Sequence, residues 1–395
     1  MTAHTKSNSR KRVGVIGTGF IAKGFVRALE NCVDLTVSGV LTRRDIHACA
    51  EFPRKRALTN SVAELVENSD IVVECSGDAI HATDVIDQAL KASLPVVTMN
   101  SEFHVTAGSY FVGKGTVTEA EGDQPGCLAA LHEDVTAMGF KPLVYGNVKG
   151  FFDPNPSEES MRFWSQKQGI SLAMVTEATD GTKLQYEQAL VANGFGAVIV
   201  QDGMLGLAAE DIAKSAFEFV GYAKKAKRPI SDYVVNGKSS TRVFIAAQGD
   251  PRQKDALEYL KMGPGPCYFF HKNAILCHLE IIKTVRRILN GGPVLLNNSK
   301  TPTVSVAAVT KRKVPKGRAV GHPLGSFDMR GIAVKIKDHP DHVPQALLSK
   351  VIFKRAVDEG QIVRWDDVDV PESLALKAWR AITDKIFKLE RRQAS

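Results

Sequence analysis

A strand, a glycine-rich turn and a helix near the N-terminus restrict the fold of this chain more than any other feature of its sequence. Arg12–Ile16 is a short apolar run that leads directly into Gly17-Thr18-Gly19-Phe20-Ile21-Ala22, and apolar residues then recur at helical spacing as far as Leu29. In such a turn the first glycine permits a tight bend, the second lets a pyrophosphate approach the backbone, and the small third residue allows close helix–strand packing. The pattern predicts a dinucleotide-binding turn formed by Gly17, Thr18, Gly19, Phe20 and Ile21, with helix N–H groups facing the phosphates. The alternative is a glycine-rich turn in an unrelated α/β domain.

Strands and helices alternate after this turn. Strands are predicted at Leu35–Leu41, Ile71–Cys75 and Leu94–Met99, and helices near Ser61–Asn68 and Ile80–Lys91. Alternation of this kind, with β-branched residues in the strands, indicates a parallel, doubly wound sheet with helices on both faces. We therefore predict an α/β fold with a Rossmann domain over residues 13–148, preceded by a disordered tail at residues 1–12.

The remainder of the chain has a different pattern. Strands predicted at Leu143–Val148, Ser171–Glu177 and Arg242–Gln248 alternate with longer amphipathic helices, which indicates an α+β substrate domain over residues 149–293. Gly291-Gly292-Pro293 is a strong break. Short strands joined by Gly/Pro-rich turns then predict a separate β module over residues 294–371, which we expect to shape or cover the substrate cleft. An amphipathic helix is predicted for residues 372–395.

The end of the second strand bears on the choice of dinucleotide. NAD sites usually place Asp or Glu there to bind the ribose 2′-hydroxyl, whereas a nearby arginine accommodates the 2′-phosphate of NADP. This chain has Thr42, Arg43 and Arg44 at that position. A guanidinium binds phosphate through two parallel hydrogen bonds, so we predict NADP rather than NAD. Alternatively, both arginines are surface residues that Asp45 partly neutralises.

Two later turns follow strands of the same predicted sheet. Cys75-Ser76-Gly77 comes directly after one strand, and Asn100 directly after the next. Because ligands of open α/β sheets bind at the carboxyl ends of the strands, we expect all four residues to face the cofactor.

Polar residues in three turns are candidates for catalysis. Asp123, Asn147, Lys149, Asp180 and Lys183 each lie beside the end of a predicted strand or helix. Hydride transfer needs a proton donor or acceptor at the substrate oxygen, and a lysine with a lowered pKa can serve. We predict that Lys183 and Lys149 form this pair, with Asp180 and Asp123 orienting them. The alternative for Asp180–Lys183 is a plain β-turn with an exposed lysine.

Composition excludes several other classes of protein. The net charge of +8 suits an anionic cofactor, and the basic clusters lack a nucleic-acid-binding motif. The sequence has no apolar run of the roughly 18–20 residues that span a bilayer and no apolar segment typical of a secretory signal. Six cysteines without a CxxC pair suit a reducing compartment, so we predict a cytoplasmic protein. The histidines have no metal-ligand spacing, and no metal is predicted.

Several segments, taken in order, resemble the homoserine-dehydrogenase-like oxidoreductases, the group that also contains the deoxyxylulose-phosphate-reductoisomerase-like enzymes. The segments that carry the resemblance are Val97–Glu102, Glu121–Gly126, Gly146–Gly150, Thr179–Lys183 with Glu187, Ala192–Gly194, and Gly263–Pro266 with His271. Arg355–Gly360 is similar to part of the SAF (β-clip) module.

This resemblance implies a nicotinamide cofactor, a catalytic lysine with carboxylate neighbours, and a homodimer or higher oligomer. It assigns the substrate site to Asn147–Gly150 with Asp180 and Lys183, and it adds Gly263 and Gly265 to the cofactor-binding residues. Asn147-Val148-Lys149 replaces the Asn-Gly-Thr core of the homoserine dehydrogenases, and Asp123-Gln124 replaces the Asp-Glu of the reductoisomerase-like relatives.

The function predicted from these features is hydride transfer to or from a small polyhydroxylated carbonyl or alcohol compound. Phosphorylated and nucleotide-linked substrates, and accompanying reductoisomerase chemistry, remain open at this point. The alternative is a non-catalytic cofactor-binding module that uses its SAF-like domain to bind an anionic sugar or a protein partner.

Overall fold

A six-stranded parallel sheet forms the N-terminal part of the molecule. The computed structural model describes residues 10–49 and 51–394, so positions 1–9 of the predicted tail lie outside the described residues. The strands of the sheet are β1 (Lys11–Ile16), β2 (Leu35–Leu41), β3 (Leu58–Thr59), β4 (Ile71–Glu74), β5 (Val96–Thr98) and β6 (Val117–Glu119). Their spatial order, β3-β2-β1-β4-β5-β6, is that of a Rossmann sheet. Because β1 begins at Lys11, the last two residues of the predicted tail belong to a strand.

Helices connect these strands and cover the sheet. They are α1 (Phe20–Glu30), α2 (Val62–Glu67), α3 (Ala79–Lys91) and α4 (Ser101–Thr106). The apolar stripe of α1 is buried at Ala22, Phe25, Val26 and Leu29, as helical spacing requires. The strands are rich in Val and Ile because a parallel sheet is buried on both faces.

A second, mixed sheet follows, with the order β11-β10-β7-β9-β8. Its strands are β7 (Lys141–Lys149), β8 (Leu207–Ala208), β9 (Ile230–Val235), β10 (Val243–Gln248) and β11 (Cys267–Lys272). The helices of this region are α5 (Gln124–Ala137), α6 (Glu158–Gln168), α7 (Leu172–Thr179), α8 (Thr182–Phe195), α9 (Ile212–Ala226), α10 (Lys254–Tyr259) and α11 (Ile281–Leu289). Alternate strand residues pack on opposite sides: Phe244 and Ala246 with α9, and Val243 and Ile245 with α5 and α8.

Two predictions for this region are wrong. The Rossmann domain does not extend to Val148, because the parallel sheet ends with β6 and β7 is the central strand of the second sheet. The predicted strand Ser171–Glu177 is helix α7, with the Ser171 hydroxyl accepting a hydrogen bond from the N–H of Met174. A short apolar run is compatible both with a strand and with one face of a short helix. Here the hydrogen bond at the Ser171 N-cap marks the start of a helix.

Small antiparallel sheets occupy the C-terminal region. Strands β12 (Val304–Thr310) and β14 (Met329–Lys335) form one sheet, and β13 (Ala319–Val320), β15 (Val351–Phe353) and β16 (Val368–Asp369) form another. Helix α12 (Leu374–Ala394) follows and packs on α3 of the first domain. The short strands were predicted, but a separate core was not found: one cluster of buried side chains includes Val96, Leu190, Val306 and Trp379.

None of the helices in residues 10–49 and 51–394 combines the length and apolarity needed to cross a membrane.

Candidate active site

The predicted glycine turn lies between β1 and α1 with a geometry that suits a dinucleotide. Gly17 has φ of +108°, and a Cβ there would meet the backbone oxygen of Cys75 at 2.9 Å. Gly19 is the N-cap of α1 without a side-chain cap, and a Cβ at this position would meet nothing within 4 Å. Phe20 and Ile21 begin the helix, so its uncapped N–H groups face open space. The residues present therefore fit a nicotinamide dinucleotide, whose pyrophosphate would meet backbone rather than side chains.

A pocket of 480 Å³ opens at the end of β2, beside this turn. Its walls include Thr42, Arg43, Arg44 and His81. The Thr42 hydroxyl lies 3.4 Å from that of Thr18 in the glycine turn, and it accepts a hydrogen bond from the N–H of Arg44. The Arg43 guanidinium is 2.8 Å from a carboxylate oxygen of Asp78. Two guanidinium groups thus border an opening next to the turn, and Asp78 rather than Asp45 pairs with Arg43.

The loop after β4 forms the other side of the glycine turn. The N–H of Ser76 donates to Glu74 Oε1 over 2.6 Å, and Gly77 has φ of +68° with open space on its Cβ side. Cys75 supplies the backbone oxygen that lies against Gly17. The structure therefore brings Cys75, Ser76 and Gly77 to the glycine turn, and their contact with the cofactor stays a prediction.

Asn100 follows β5 at the same edge of the sheet, where its side chain caps a helix, and its contact with the cofactor stays a prediction. Its side chain is completely buried, and its Oδ1 accepts a hydrogen bond from the N–H of Phe103 at the start of α4. Asn100 follows β5, as predicted. An asparagine at the start of a helix also serves as an N-cap, and Asn100 does so for α4. Here the cap geometry decides the direction of the side chain.

Gly263 and Gly265 do not reach the glycine turn. They precede β11, whose first residue pairs with Gln248, which in turn pairs with Lys141 at the start of β7. Asn147, near the other end of β7, is six residues away, or roughly 20 Å along a strand. A Cβ on Gly265 would instead meet the ring of Tyr268. These two glycines form a turn at the far end of the second sheet.

Lys183 is the centre of a cluster of charged side chains. Its Nζ donates to Asp123 Oδ2 over 3.0 Å and to Ser101 Oγ over 3.2 Å. Glu102 Oε1 lies 3.7 Å away and Glu187 Oε1 4.0 Å away. The lysine side chain is 26% exposed, whereas the three carboxylates are almost buried. Lys183 is therefore held by buried acids yet remains accessible, which is not the geometry of a surface turn.

Ser101 connects this lysine to the edge of the first sheet. It is the first residue of α4 and follows β5 within three residues. The carboxyl ends of parallel strands meet at one edge, so β5, β4 and β1 all deliver their following loops there. The ammonium group of Lys183 consequently lies at the same edge as the glycine turn.

The electrostatics of the cluster follow from burial and charge together. Burial by itself would lower the pKa of Lys183, but the carboxylates of Asp123, Glu102 and Glu187 raise it well above the ordinary value. The lowered pKa predicted for this lysine is therefore wrong. Burial raises the pKa of Glu187 to about 8, with Asp123 adding to the shift and Lys183 opposing it. Burial lowers the pKa of Lys149, although Glu187 and Asp180 partly offset this effect. Near neutral pH the site thus holds an ammonium ion beside a carboxyl group that retains its proton.

Asn147 and Lys149 extend the cluster along β7. Asn147 is buried, and its Nδ2 donates to Glu187 Oε2 over 2.8 Å. Lys149 is half-buried at the last position of the strand. Both predicted residues therefore border the site, Asn147 by orienting Glu187.

Asp180 does not hold Lys183, contrary to the prediction. Its Oδ1 accepts a hydrogen bond from the N–H of Thr182, and its Oδ2 is 2.6 Å from Nζ of Lys311. Both partners of this ion pair are buried. The sequence did not reveal the contact because Lys311 is 131 residues further along the chain.

A second buried pair lies behind Ser101 and Glu102. Nε2 of His104 is 3.3 Å from Glu119 Oε2, but the two atoms are not aligned for a hydrogen bond. Burial lowers the pKa of His104 to about 3 and raises that of Glu119 well above its ordinary range.

Ser101, Glu102 and Glu187 were not assigned a role from the sequence. All three lie within segments of the resemblance, and Glu187 follows Lys183 by four residues on one helix face. That spacing was the available signal. Among the described residues, no group of three or more His, Cys, Asp or Glu side chains is arranged to hold a metal ion.

Two protein-family models match the chain. The model described as "Homoserine dehydrogenase, NAD binding domain" matches residues 17–109, and the model described as "Oxidoreductase DRL, catalytic domain" matches residues 122–281. The first match contains the glycine turn and the second contains Asp123 and Lys183. The chain therefore combines an NAD-binding domain with an oxidoreductase catalytic domain. Curated proteins include no significant match to its sequence.

Solved structures are similar to it in fold. A homoserine dehydrogenase from Thiobacillus denitrificans is 14% identical, with 90% of this chain and 98% of that chain covered and a TM-score of 0.43. UDP-N-acetylglucosamine 3-dehydrogenase from Acidithiobacillus ferrooxidans is also 14% identical, with coverages of 73% and 92% and a TM-score of 0.41.

Proposed function

We propose that this chain, which joins a nicotinamide-binding domain to an oxidoreductase catalytic domain, is an NADP-dependent enzyme that uses Lys183 at the oxygen of a small polyhydroxylated carbonyl or alcohol substrate. The observation that carries the proposal is the contact of Lys183 with Ser101 and Asp123 at the edge of the sheet where the glycine turn lies. A buried cluster of charges is costly to stability, and such clusters are common where chemistry requires them.

The protein side chains have separable roles in this reaction. The bound nicotinamide would supply or accept the hydride. Lys183 would stabilise negative charge on the substrate oxygen and exchange a proton with it, since its ammonium group is accessible and fixed by Asp123. Glu187, whose carboxyl group Asn147 orients, would hold the proton that is transferred after that of Lys183. Lys149 would add positive charge near Glu187.

The same residues support a substrate rich in hydroxyl groups. Asp123, Glu102 and Glu187 place carboxyl oxygens around one ammonium group, and these oxygens are acceptors for hydroxyl donors. A purely apolar substrate would offer these oxygens no hydroxyl donor.

NADP is proposed over NAD because of the pocket at the end of β2. Arg43 and Arg44 border it, and the first residue after the strand is Thr42 instead of an acid. A 2′-phosphate placed there would compete with Asp78 for Arg43 and would gain Arg44 as a second ligand.

The decisive experiment compares turnover of wild type, Lys183→Ala and Lys183→Arg with NADPH and a panel of keto sugars and aldehydes. Loss of one acid/base or oxyanion-stabilising group lowers kcat by roughly a hundredfold or more, while NADPH affinity should stay near wild type. Arginine should not restore turnover, because guanidinium does not release its proton. Lys91→Ala, in an exposed ion pair with Asp87, is the matched control. NMR of the product would show whether the carbon skeleton is rearranged.

Wild-type turnover in Lys183→Ala would remove the lysine from the mechanism. The alternative function, a non-catalytic module that binds an anionic sugar or a protein partner, would be favoured by tight NADPH binding with no turnover on any substrate.

We further propose that the C-terminal sheets are an SAF-like module that covers the cleft, and that the protein is a cytoplasmic homodimer or higher oligomer. Light scattering of the purified protein tests the oligomeric state.

A further inference from the structure

Helix α8 has two functional faces. One face carries Lys183 and Glu187 into the site. The other carries Thr182, Gln185 and Tyr186 against the C-terminal sheets. Both faces follow from the helical period, because residues three and four apart share a side.

The second face is joined to the C-terminal region by direct hydrogen bonds. The N–H of Gly331 in β14 donates to the Thr182 hydroxyl over 2.9 Å, and that of Ala333 donates to Gln185 Oε1 over 2.8 Å. The N–H of Ala346 donates to the Tyr186 hydroxyl over 3.0 Å. These contacts run along the first half of the helix, directly behind Lys183.

A buried ion pair at the helix start adds to these connections. Asp180 precedes the N-cap Gly181, and its carboxylate both binds the N–H of Thr182 and accepts from Lys311. Lys311 follows β12 and also donates to the carbonyl oxygen of Ser326 over 2.7 Å. The exposed fractions of the two charged side chains are 1% for Lys311 and 0% for Asp180, so water cannot replace either partner.

We propose that Lys311 is a positioning residue for the reaction: by pairing with Asp180 it fixes the first turn of α8 and so aligns the ammonium group of Lys183 with the substrate oxygen. Lys311 does not touch the site itself. It acts through Asp180 and Thr182, and Lys183 is the next residue. The inference rests on the proposed role of Lys183. It assigns to the C-terminal region a contribution to catalytic alignment that is separate from covering the cleft.

Misalignment of a reacting group by about 1 Å can lower a rate by roughly a hundredfold. Lys311→Met removes the charge and keeps much of the apolar stem, but it leaves the buried carboxylate of Asp180 with only the N–H of Thr182 as a donor. We expect kcat to fall roughly tenfold to a hundredfold, with little change in NADPH affinity or KM. Asp180→Asn combined with Lys311→Met removes both charges and lets the asparagine still accept from Thr182. Because replacing both partners costs less than breaking the pair, the double variant should recover part of the lost kcat.

Lys313→Met is the matched control, because Lys313 is two residues away in an exposed ion pair with Asp358. Its kcat should equal that of wild type. Hydrogen exchange provides a second measurement that does not depend on turnover. In Lys311→Met, the amides of Thr182 to Gln185 should exchange faster, while those of Leu190 to Asn193 should keep their protection.

The possible results separate this inference from the proposed function. If Lys183→Ala abolishes turnover and folded Lys311→Met retains wild-type kcat, the positioning role is wrong and the proposed function stands. If Lys183→Ala retains turnover, the proposed function is wrong, and so is the positioning role that rests on it. Equal losses of kcat in the single and double variants would also contradict the ion pair as the cause. If Lys311→Met does not fold, kcat and amide exchange of the double variant test the positioning role instead.

Discussion

At the scale of single residues, Glu187 shows how the site couples charge to stability. Its folded-state pKa of about 8 lies above the ordinary value of 4.5 because the side chain is buried. Below pH 4.5 both folded and unfolded chains hold the proton, so the group has no effect on stability. As the pH rises from there to about 8, the unfolded chain releases its proton while the folded chain retains it. Folding therefore becomes less favourable over this window.

Glu187→Gln should remove this dependence, because the amide is neutral at every pH. The free energy of unfolding of the variant, relative to wild type, should increase between pH 5 and pH 8 by more than about 1 kcal/mol. Urea titrations at several pH values measure it. Glu133→Gln, in a half-exposed ion pair with Arg287, is the control and should show no such increase. A constant difference between Glu187→Gln and wild type would mean that Glu187 is ionised throughout.

At the scale of elements, the end of β2 makes the cofactor prediction testable. Replacing both Arg43 and Arg44 by Ala removes the two cations beside the pocket. Hydrogen bonds to charged groups contribute on the order of 1.5–3 kcal/mol, so NADPH should bind at least roughly tenfold more weakly while NADH is unaffected. Isothermal titration calorimetry with both cofactors provides the comparison, with the exposed Arg27 on α1 replaced by Ala as a control. Tighter binding of NADH by wild type, or parallel loss of both cofactors, would overturn NADP.

Local pattern predicted those elements whose signals are local. The turn at Gly17–Gly19 and the helix after it are encoded within one short segment, as is the lysine at the start of α8. The strand predicted at Ser171–Glu177 failed because a single N-cap hydroxyl outweighs an ambiguous apolar run. The partner of Asp180 could not be predicted, since pairing with Lys311 depends on how the start of α8 meets the distant C-terminal sheet.

At the scale of the whole molecule, the C-terminal region does not have the separate core that the sequence predicts. Buried side chains of α8, including Tyr186 and Leu190, share one core with Val306 of β12 and Leu376 of α12. Removing the C-terminal region would expose the rear face of the catalytic helix. The sequence predicts a domain boundary at Gly291-Gly292-Pro293, but residues on both sides of this turn share one buried core.

A chain ending at Asn290 should consequently fail to fold, rather than bind NADPH as a separate module would. Loss of a cooperative thermal transition, together with aggregation, is the expected result. A chain ending at Lys388 is the control, because Leu389 is 39% exposed and contributes little to the core. A soluble, cooperatively folded protein ending at Asn290 that binds NADPH would show that the shared core is dispensable.

The distance in sequence between Asp180 and Lys311 also sets an order of events during synthesis. Ribosomes add roughly 5–20 residues per second, so about 7–26 s separate the emergence of Asp180 from that of Lys311. During this interval α8 has no partner for its rear face, and the core that it shares with the C-terminal region is incomplete. The protein would therefore bind its cofactor and become competent for chemistry only after the C-terminal region has emerged.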